Sequence, residues 1–139
     1  MKLNHDCIRA TLLAIESMDY IIEDNDNEIC FEAISFNEIV KCMNKRKEKY
    51  SRIEIFYTLH NLEQGGYISA SCGYSNDSVE DFFVNYITYS GHQFLDTVRD
   101  SAVWSSTKSI VSKVASVSLS VVENVAAQVI TNLISQQMS

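Results

Sequence analysis

Proline is absent from all 139 residues, and glycine occurs only four times. Those absences exclude collagen-like and low-complexity segments and long flexible linkers. Neither a P-loop nor a dinucleotide-binding fingerprint can be assembled from Gly65, Gly66, Gly73 and Gly91. Metal-type cysteine spacing is missing too. Cys7, Cys30, Cys42 and Cys72 lie far apart, with no C-x-x-C pair and no histidine at ligand spacing, which reads as reduced thiols packed like small apolar side chains rather than a zinc site. The opening Met1-Lys2-Leu3-Asn4-His5-Asp6 has no basic region followed by an apolar run, so no secretory signal is read and the expected compartment is the cytoplasm. Cations are outnumbered, 11 Lys and Arg against 18 Asp and Glu, and the net charge of −7 would repel nucleic acid if it were evenly spread.

It is not evenly spread. Glu16, Asp19, Glu23, Asp24, Asp26, Glu28, Glu32 and Glu38 fall in a stretch without Lys or Arg, whereas Lys41, Lys45, Arg46, Lys47, Lys49 and Arg52 are crowded together with only Glu48 against them. The positive end meets the stretch that organises the chain. Ser51 with Glu54 forms a capping-box pattern, and Ile55, Leu59 and Leu62 recur at i, i+4 and i+7, predicting a helix with one buried stripe. Gly65 and Gly66 then stop it, because a positive φ after a helix suits glycine.

With 46% apolar residues the chain can bury one core and carry one appended helix. Ile8, Leu12, Ile15, Met18 and Ile22 predict a first helix over residues 4–22, capped by Asn4. Asp24 to Asn27 reads as a turn, and Ile29, Phe31 and Ala33 as a short edge strand. Ser35 with Glu38 is a second capping box, opening a helix through about Met43 with Phe36, Ile39 and Val40 inward. Tyr67–Ser71 and Phe82–Thr88 read as a hairpin around a polar loop, Cys72 to Asp81, whose charges Asp77, Glu80 and Asp81 are all acidic. Ser90 with Gln93 predicts a further helix to about Asp100, with Phe94, Leu95 and Val98 inward. The expected class is α+β, a winged helix-turn-helix domain over residues 1–102.

Residues 103–139 shift to Ser, Val and Ala and are expected to form a C-terminal apolar helical extension. Ala115, Leu119, Val122, Ala126, Val129 and Leu133 repeat with alternating spacings of four and three, a seam suited to self-association or to packing on the domain. Glu123, Asn124, Gln128 and Asn132 make the run poor as a bilayer span, since a central acid costs about 2.5–3.5 kcal/mol on insertion scales.

The segment Thr88-Tyr89-Ser90-Gly91-His92-Gln93-Phe94-Leu95-Asp96, the turn Leu59-x-x-Leu62-x-x-x-Gly66-Tyr67-Ile68, the opening Met1–Arg9 and the hydrophobic tail resemble the YjcQ-like winged-helix proteins and their prophage-associated relatives. The resemblance spans most of the chain. It implies a winged helix and a phage or prophage setting, and no catalytic residues.

His92 with Asp96 and His5 with Asp6 have acid/base spacing, but neither has a nucleophile, metal or cleft signalled beside it. His60 reads as a partly buried residue rather than a ligand. No catalytic site, metal, cofactor or small-molecule substrate is expected. The expected function is that of a non-enzymatic regulatory protein touching DNA through Lys45, Arg46, Lys47, Lys49, Ser51 and Arg52, with Thr58 and Asn61 on the outer face of the central helix, and associating with itself as a dimer or higher homo-oligomer. Glu54 and the acidic wing loop oppose DNA. The alternative is a winged helix turned to protein binding, with the acidic first helix and the apolar tail docking a phage or host partner and no DNA bound.

Overall fold

The N-terminal helix begins where Asn4 supplies a cap, its side-chain oxygen accepting the Cys7 N–H at 3.2 Å. This helix, α1 (His5–Glu16), opens a computed structural model that describes residues 1–72 and 81–139 and divides into two compact units, Met1–His92 and Gln93–Ser139. In chain order follow β1 (Ile21–Glu23), β2 (Ile29–Phe31), β3 (Ile34–Ser35), α2 (Phe36–Lys45), α3 (Arg52–Gln64), β4 (Ile68–Cys72), β5 (Phe82–Ile87), α4 (Tyr89–Val98), α5 (Ser101–Val111) and α6 (Leu119–Met138). The chain is therefore α+β, with two small antiparallel sheets among the described residues. The acidic residues Asp77 and Glu80 of the expected wing loop lie outside the described residues.

Helical spacing carries the first helix too far. It stops at Glu16, where the Ser17 hydroxyl turns back to the Ala14 carbonyl at 2.6 Å, and Ile22 lies instead in β1. Strands β1 and β2 pair as an antiparallel hairpin, Ile21 opposite Phe31 and Glu23 opposite Ile29. The anticipated turn joins them, held by Asp24 Oδ1, which accepts the N–H groups of Asp26 and Glu28 at 2.9 Å each, while Asn27 takes φ +62°. The expected edge strand over Ile29–Ala33 ends early, at Phe31, and a second strand follows it. Ile29–Phe31 pairs with β1, and Ile34–Ser35, beyond the expected strand, pairs with β5 in a sheet ordered β3-β5-β4.

The sheet register slips by one residue at Asn85, which stands unpaired between Val84 (opposite Ala70) and Tyr86 (opposite Ser69). Its side-chain amide donates to the hydroxyls of Ser69 and Ser71 at 3.3 and 3.1 Å, pinning the bulge. Both capping serines act as expected, with a difference. Ser35 and Glu38 make both bonds of the box, at 3.2 and 3.3 Å. Ser51 accepts the Glu54 N–H at 3.1 Å, but the Glu54 carboxylate accepts instead from Asn4 Nδ2 at 3.0 Å, tying the start of α1 to the start of α3.

Helix α3 ends in a Schellman motif, Tyr67 N–H on the Leu62 carbonyl at 2.9 Å and Gly66 N–H on Glu63 at 3.1 Å, with Gly66 at φ +81°. Thr88 then locks this turn. Its N–H donates to the Tyr67 carbonyl at 3.1 Å, its hydroxyl donates to the Gly66 carbonyl at 2.6 Å, and the same oxygen accepts the Gly91 N–H at 3.1 Å. Thr88, not Ser90, caps α4. Ile8, Leu12 and Ile15 of α1, Phe36, Ile39 and Met43 of α2, Ile55, Leu59 and Leu62 of α3, and Ile68, Val84 and Ile87 of the sheet are all buried and form the core of this unit.

In the second unit Asp100 caps α5, accepting the Val103 N–H at 2.9 Å, and Ser118 caps α6. The extension is two helices packed on one another, with Val103, Trp104, Thr107, Val122 and Ala126 buried. Phe94, Leu95 and Val98 are buried as expected. Among the described residues no helix is long and apolar enough to cross a membrane.

Candidate nucleic-acid interface

The basic residues occupy the connection from the end of α2 to the start of α3. Lys45 is the last residue of α2, Arg46 its C-cap, and Ser51 the N-cap of α3, so Arg46, Lys47, Lys49 and Ser51 form a loop of fixed ends. A Schellman motif ends α2 as well: Lys47 N–H donates to the Asn44 carbonyl and Glu48 N–H to the Met43 carbonyl, both at 3.0 Å. Here the left-handed position is held by Lys47, at φ +61°. A lysine there is strained where glycine would not be, so Lys47→Gly is expected to raise the stability of the fold by about 1 kcal/mol or less. Urea melts of the two chains check it, and a destabilised glycine variant would show that the Lys47 side chain makes a contact of its own.

Lys45, Arg46, Lys47, Lys49, Ser51 and Arg52 are all exposed, and among the described residues the four loop cations form no ion pair. They repel one another in water unless an anion lies across them. The Arg52 guanidinium is placed over the Phe36 ring, 4.9 Å from its centroid. Phe36 meets Phe56 edge to face at 5.7 Å, and Phe56 meets Phe82 at 5.5 Å, so a row of rings supports the first turn of α3. Phe36, Arg52, Ile53 and Phe56 line an open apolar recess of about 180 Å³. Ile53 is 70% exposed at its edge, a feature that sequence reasoning passed over.

Thr58 is not on this surface. It is 1% exposed, and its hydroxyl donates to the Glu54 carbonyl at 2.8 Å, with Cys7 Sγ 3.3 Å away. The reason is geometric, because position 58 lies three residues after Ile55 and four before Leu62 on the buried stripe. Asn61 is half-buried, and its amide donates back to the Tyr57 carbonyl at 2.8 Å, which directs it along its own helix.

On its α1 side the loop borders acid. Burial, assisted by Asp6, Cys7, Glu48 and Glu54, pushes the Tyr50 hydroxyl up to about 12, so it remains protonated. Burial also raises the Cys7 thiol, and it lowers His5 from its ordinary value against the opposing pull of Asp6. His60 is exposed rather than partly buried, and the Asp96 carboxylate accepts from Arg99 at 3.2 Å. Among the described residues no group of three or more His, Cys, Asp or Glu could hold a metal ion.

The expected oligomerisation seam is scattered. Ala115 is exposed between α5 and α6, Leu119 and Val129 are half-buried, and Leu133 is exposed. Val122 and Ala126 are fully buried within the chain and cannot also face a second copy.

Residues 2–118 match the family described as Hypothetical protein (DUF2513), and the chain belongs to it. It is also similar to an uncharacterized protein of Haemophilus influenzae, 27% identical over an alignment of 139 positions that covers 96% of this chain and 99% of that one. No solved structure matches the chain.

Proposed function

We propose that this member of the DUF2513 family is a non-enzymatic winged-helix protein that binds duplex DNA through the α2–α3 connection, as a cytoplasmic regulator of phage or prophage type. The order α1, β3, α2, α3, β4, β5, with β3 on the far side of β5, supports the winged-helix reading, in which α3 is the recognition helix. On this reading residues 1–102 are the binding domain and residues 103–139 an appended helical segment.

The observation that carries the DNA reading is the run of exposed cations, Lys45, Arg46, Lys47 and Lys49, on a connection capped at both ends that leads into the first turn of α3. A phosphate backbone laid across them would release counterions, and on this reading Arg52 and the exposed Ile53 are the side chains that meet base edges, the latter suiting a thymine methyl. With Thr58 buried, few side chains remain to read sequence, so binding is mainly electrostatic and weakly selective. Replacing Lys45, Arg46 and Lys47 together with Ala is expected to weaken binding to all duplexes alike and to reduce the slope of log K against log salt by up to about 2.7, or 0.9 per phosphate. Fluorescence anisotropy with a labelled duplex of random sequence, from low to moderate salt, reads both quantities. A wild-type chain that fails to bind at low salt, or a triple variant with an unaltered slope, would refute this reading.

Self-association belongs to the same proposal, although Val122 and Ala126 are buried and the exposed large apolar residues of α6, Val121, Leu133, Ile134 and Met138, are what it offers a second copy.

A further inference from the structure

Three of the exposed large apolar side chains of the first unit, Ile21, Ile29 and Phe31, gather on the β1–β2 hairpin. Ile21 opposite Phe31 and Ile29 opposite Glu23 share one face of that hairpin, and Ile29 and Phe31 are 75% and 59% exposed. Phe31 continues onto the sheet, its ring 5.1 Å from that of Tyr86, and Phe83 is also exposed on β5. A contiguous apolar patch of this kind marks an interaction surface. Its rim decides the occupant. Glu23, Asp24, Asp26, Glu28 and Glu32 are all exposed, and no Lys or Arg occurs between Arg9 and Lys41. Two such patches facing each other would set acid against acid, so symmetric pairing through this face is opposed. The occupant has apolar side chains flanked by cations.

The start of α3 is a surface of that description. The recess lined by Phe36, Arg52, Ile53 and Phe56 has the Arg52 cation in its wall, the exposed Arg46, Lys47 and Lys49 lie in the loop that leads into Arg52, and the recess volume of about 180 Å³ is enough to take a projecting aliphatic side chain such as Ile29. We propose that chains associate head to tail, the acidic, apolar β1–β2 hairpin of one copy docking on the basic α2–α3 connection of the next. The inference deepens the self-association reading by naming its surface, and it moves that surface away from α6. The contact is heterologous, so it propagates into rings or short filaments unless the rotation closes. A single hairpin buries less than the roughly 1,200–2,000 Å² of a stable interface, so the assembly is weak, concentration-dependent and loosened by salt. Where the loop also binds DNA, phosphates and the hairpin compete for the same cations.

The test uses the full chain and sedimentation velocity at low and high salt. Wild type is expected to exceed the protomer mass at low salt and high concentration, and to return to it at about 0.5 M salt. Reversing the loop (Lys45→Glu, Arg46→Glu, Lys47→Glu) or the hairpin (Glu23→Lys, Asp26→Lys, Glu28→Lys) is expected to give monomers, and mixing the two variants to restore association, the unchanged hairpin of one docking on the unchanged loop of the other. Ile29→Ser, which leaves every charge in place, is expected to weaken association at least tenfold. Leu133→Lys with Ile134→Lys is expected to leave it unchanged. If that tail pair abolishes association while the hairpin reversal does not, self-association stands and the hairpin docking is wrong. If wild type is monomeric at both salts, or the two reversed variants do not associate when mixed, the docking is overturned and the patch serves a different protein.

Discussion

Gly91→Ala is expected to destabilise the fold by about 3 kcal/mol or more, leaving a large unfolded fraction at 37 °C. The sign is what makes the experiment decisive. Gly91 lies in α4, where propensity alone would favour alanine by about 1 kcal/mol. A Cβ at this position, however, would overlap the Tyr67 carbonyl oxygen and approach Ile87 Cγ2 to 2.7 Å. The carbonyl cannot yield, because it accepts the Thr88 N–H, and Thr88 in turn holds the Gly66 carbonyl and the Gly91 N–H. The helix can move away only by breaking that lock. A urea midpoint at or above wild type would show that α4 does not approach the Gly66–Tyr67 turn this closely.

Phe36→Ala is the second large effect, expected at about 3–5 kcal/mol. Phe36 is 1% exposed, so its removal leaves a cavity at the start of α2 and deprives Phe56 of its edge-to-face neighbour. It also removes the surface on which the Arg52 guanidinium rests. The variant therefore carries two readouts. Stability falls through the core, and the cations of the adjoining loop lose the fixed position of Arg52. Phe36→Leu separates them, since a leucine refills most of the volume without a π face, restoring much of the stability while leaving Arg52 without its partner. If Phe36→Ala lowers the urea midpoint no more than Phe36→Leu, the ring is not packed as described.

The parts of this architecture that were legible in the sequence are those set by one local interaction. Ser35 with Glu38, Ser51 with Glu54, Asn4, and Gly66 after Leu62 each name a helix end through a hydrogen bond or a φ preference, and each end falls where it was read. The basic loop was legible from its run of Lys and Arg up to the Ser51 cap, whereas its other boundary lies at Lys45 rather than Met43 because Lys47, not a glycine, takes the left-handed position that ends α2. What was hidden depends on partners distant in the chain. Ile22 continues the spacing of Ile8, Leu12 and Ile15, and only pairing with Cys30 across the Asp24 turn draws it into a strand. Ile34 and Ser35 become a strand because β5 lies alongside them. Thr88 competes with Ser90 as the cap of α4, and the turn at Gly66–Tyr67, remote in sequence, decides it. In the tail the heptad spacing runs unbroken through the residues that separate α5 from α6, because serine serves equally as helix surface and as cap. Thr58 is a different matter. Its place on the Ile55–Leu59–Leu62 stripe could have been found by plotting the helix, and its polarity concealed it.

The β1–β2 hairpin has a consequence in time as well as in space. It is a two-stranded ribbon of three residues a side, a size that is marginal by itself in water, and the contact of the Phe31 ring with Tyr86 ties it to the larger sheet. Its amides should therefore exchange with deuterium through brief local openings, while those of Leu12, Leu59 and Val84 wait for the whole unit to unfold. Anything that settles on Ile29 and Phe31 adds to the free energy of that opening. Amide exchange at Ile22 and Cys30, followed against protein concentration, thus reports occupancy of the hairpin residue by residue, at associations too weak to survive a column.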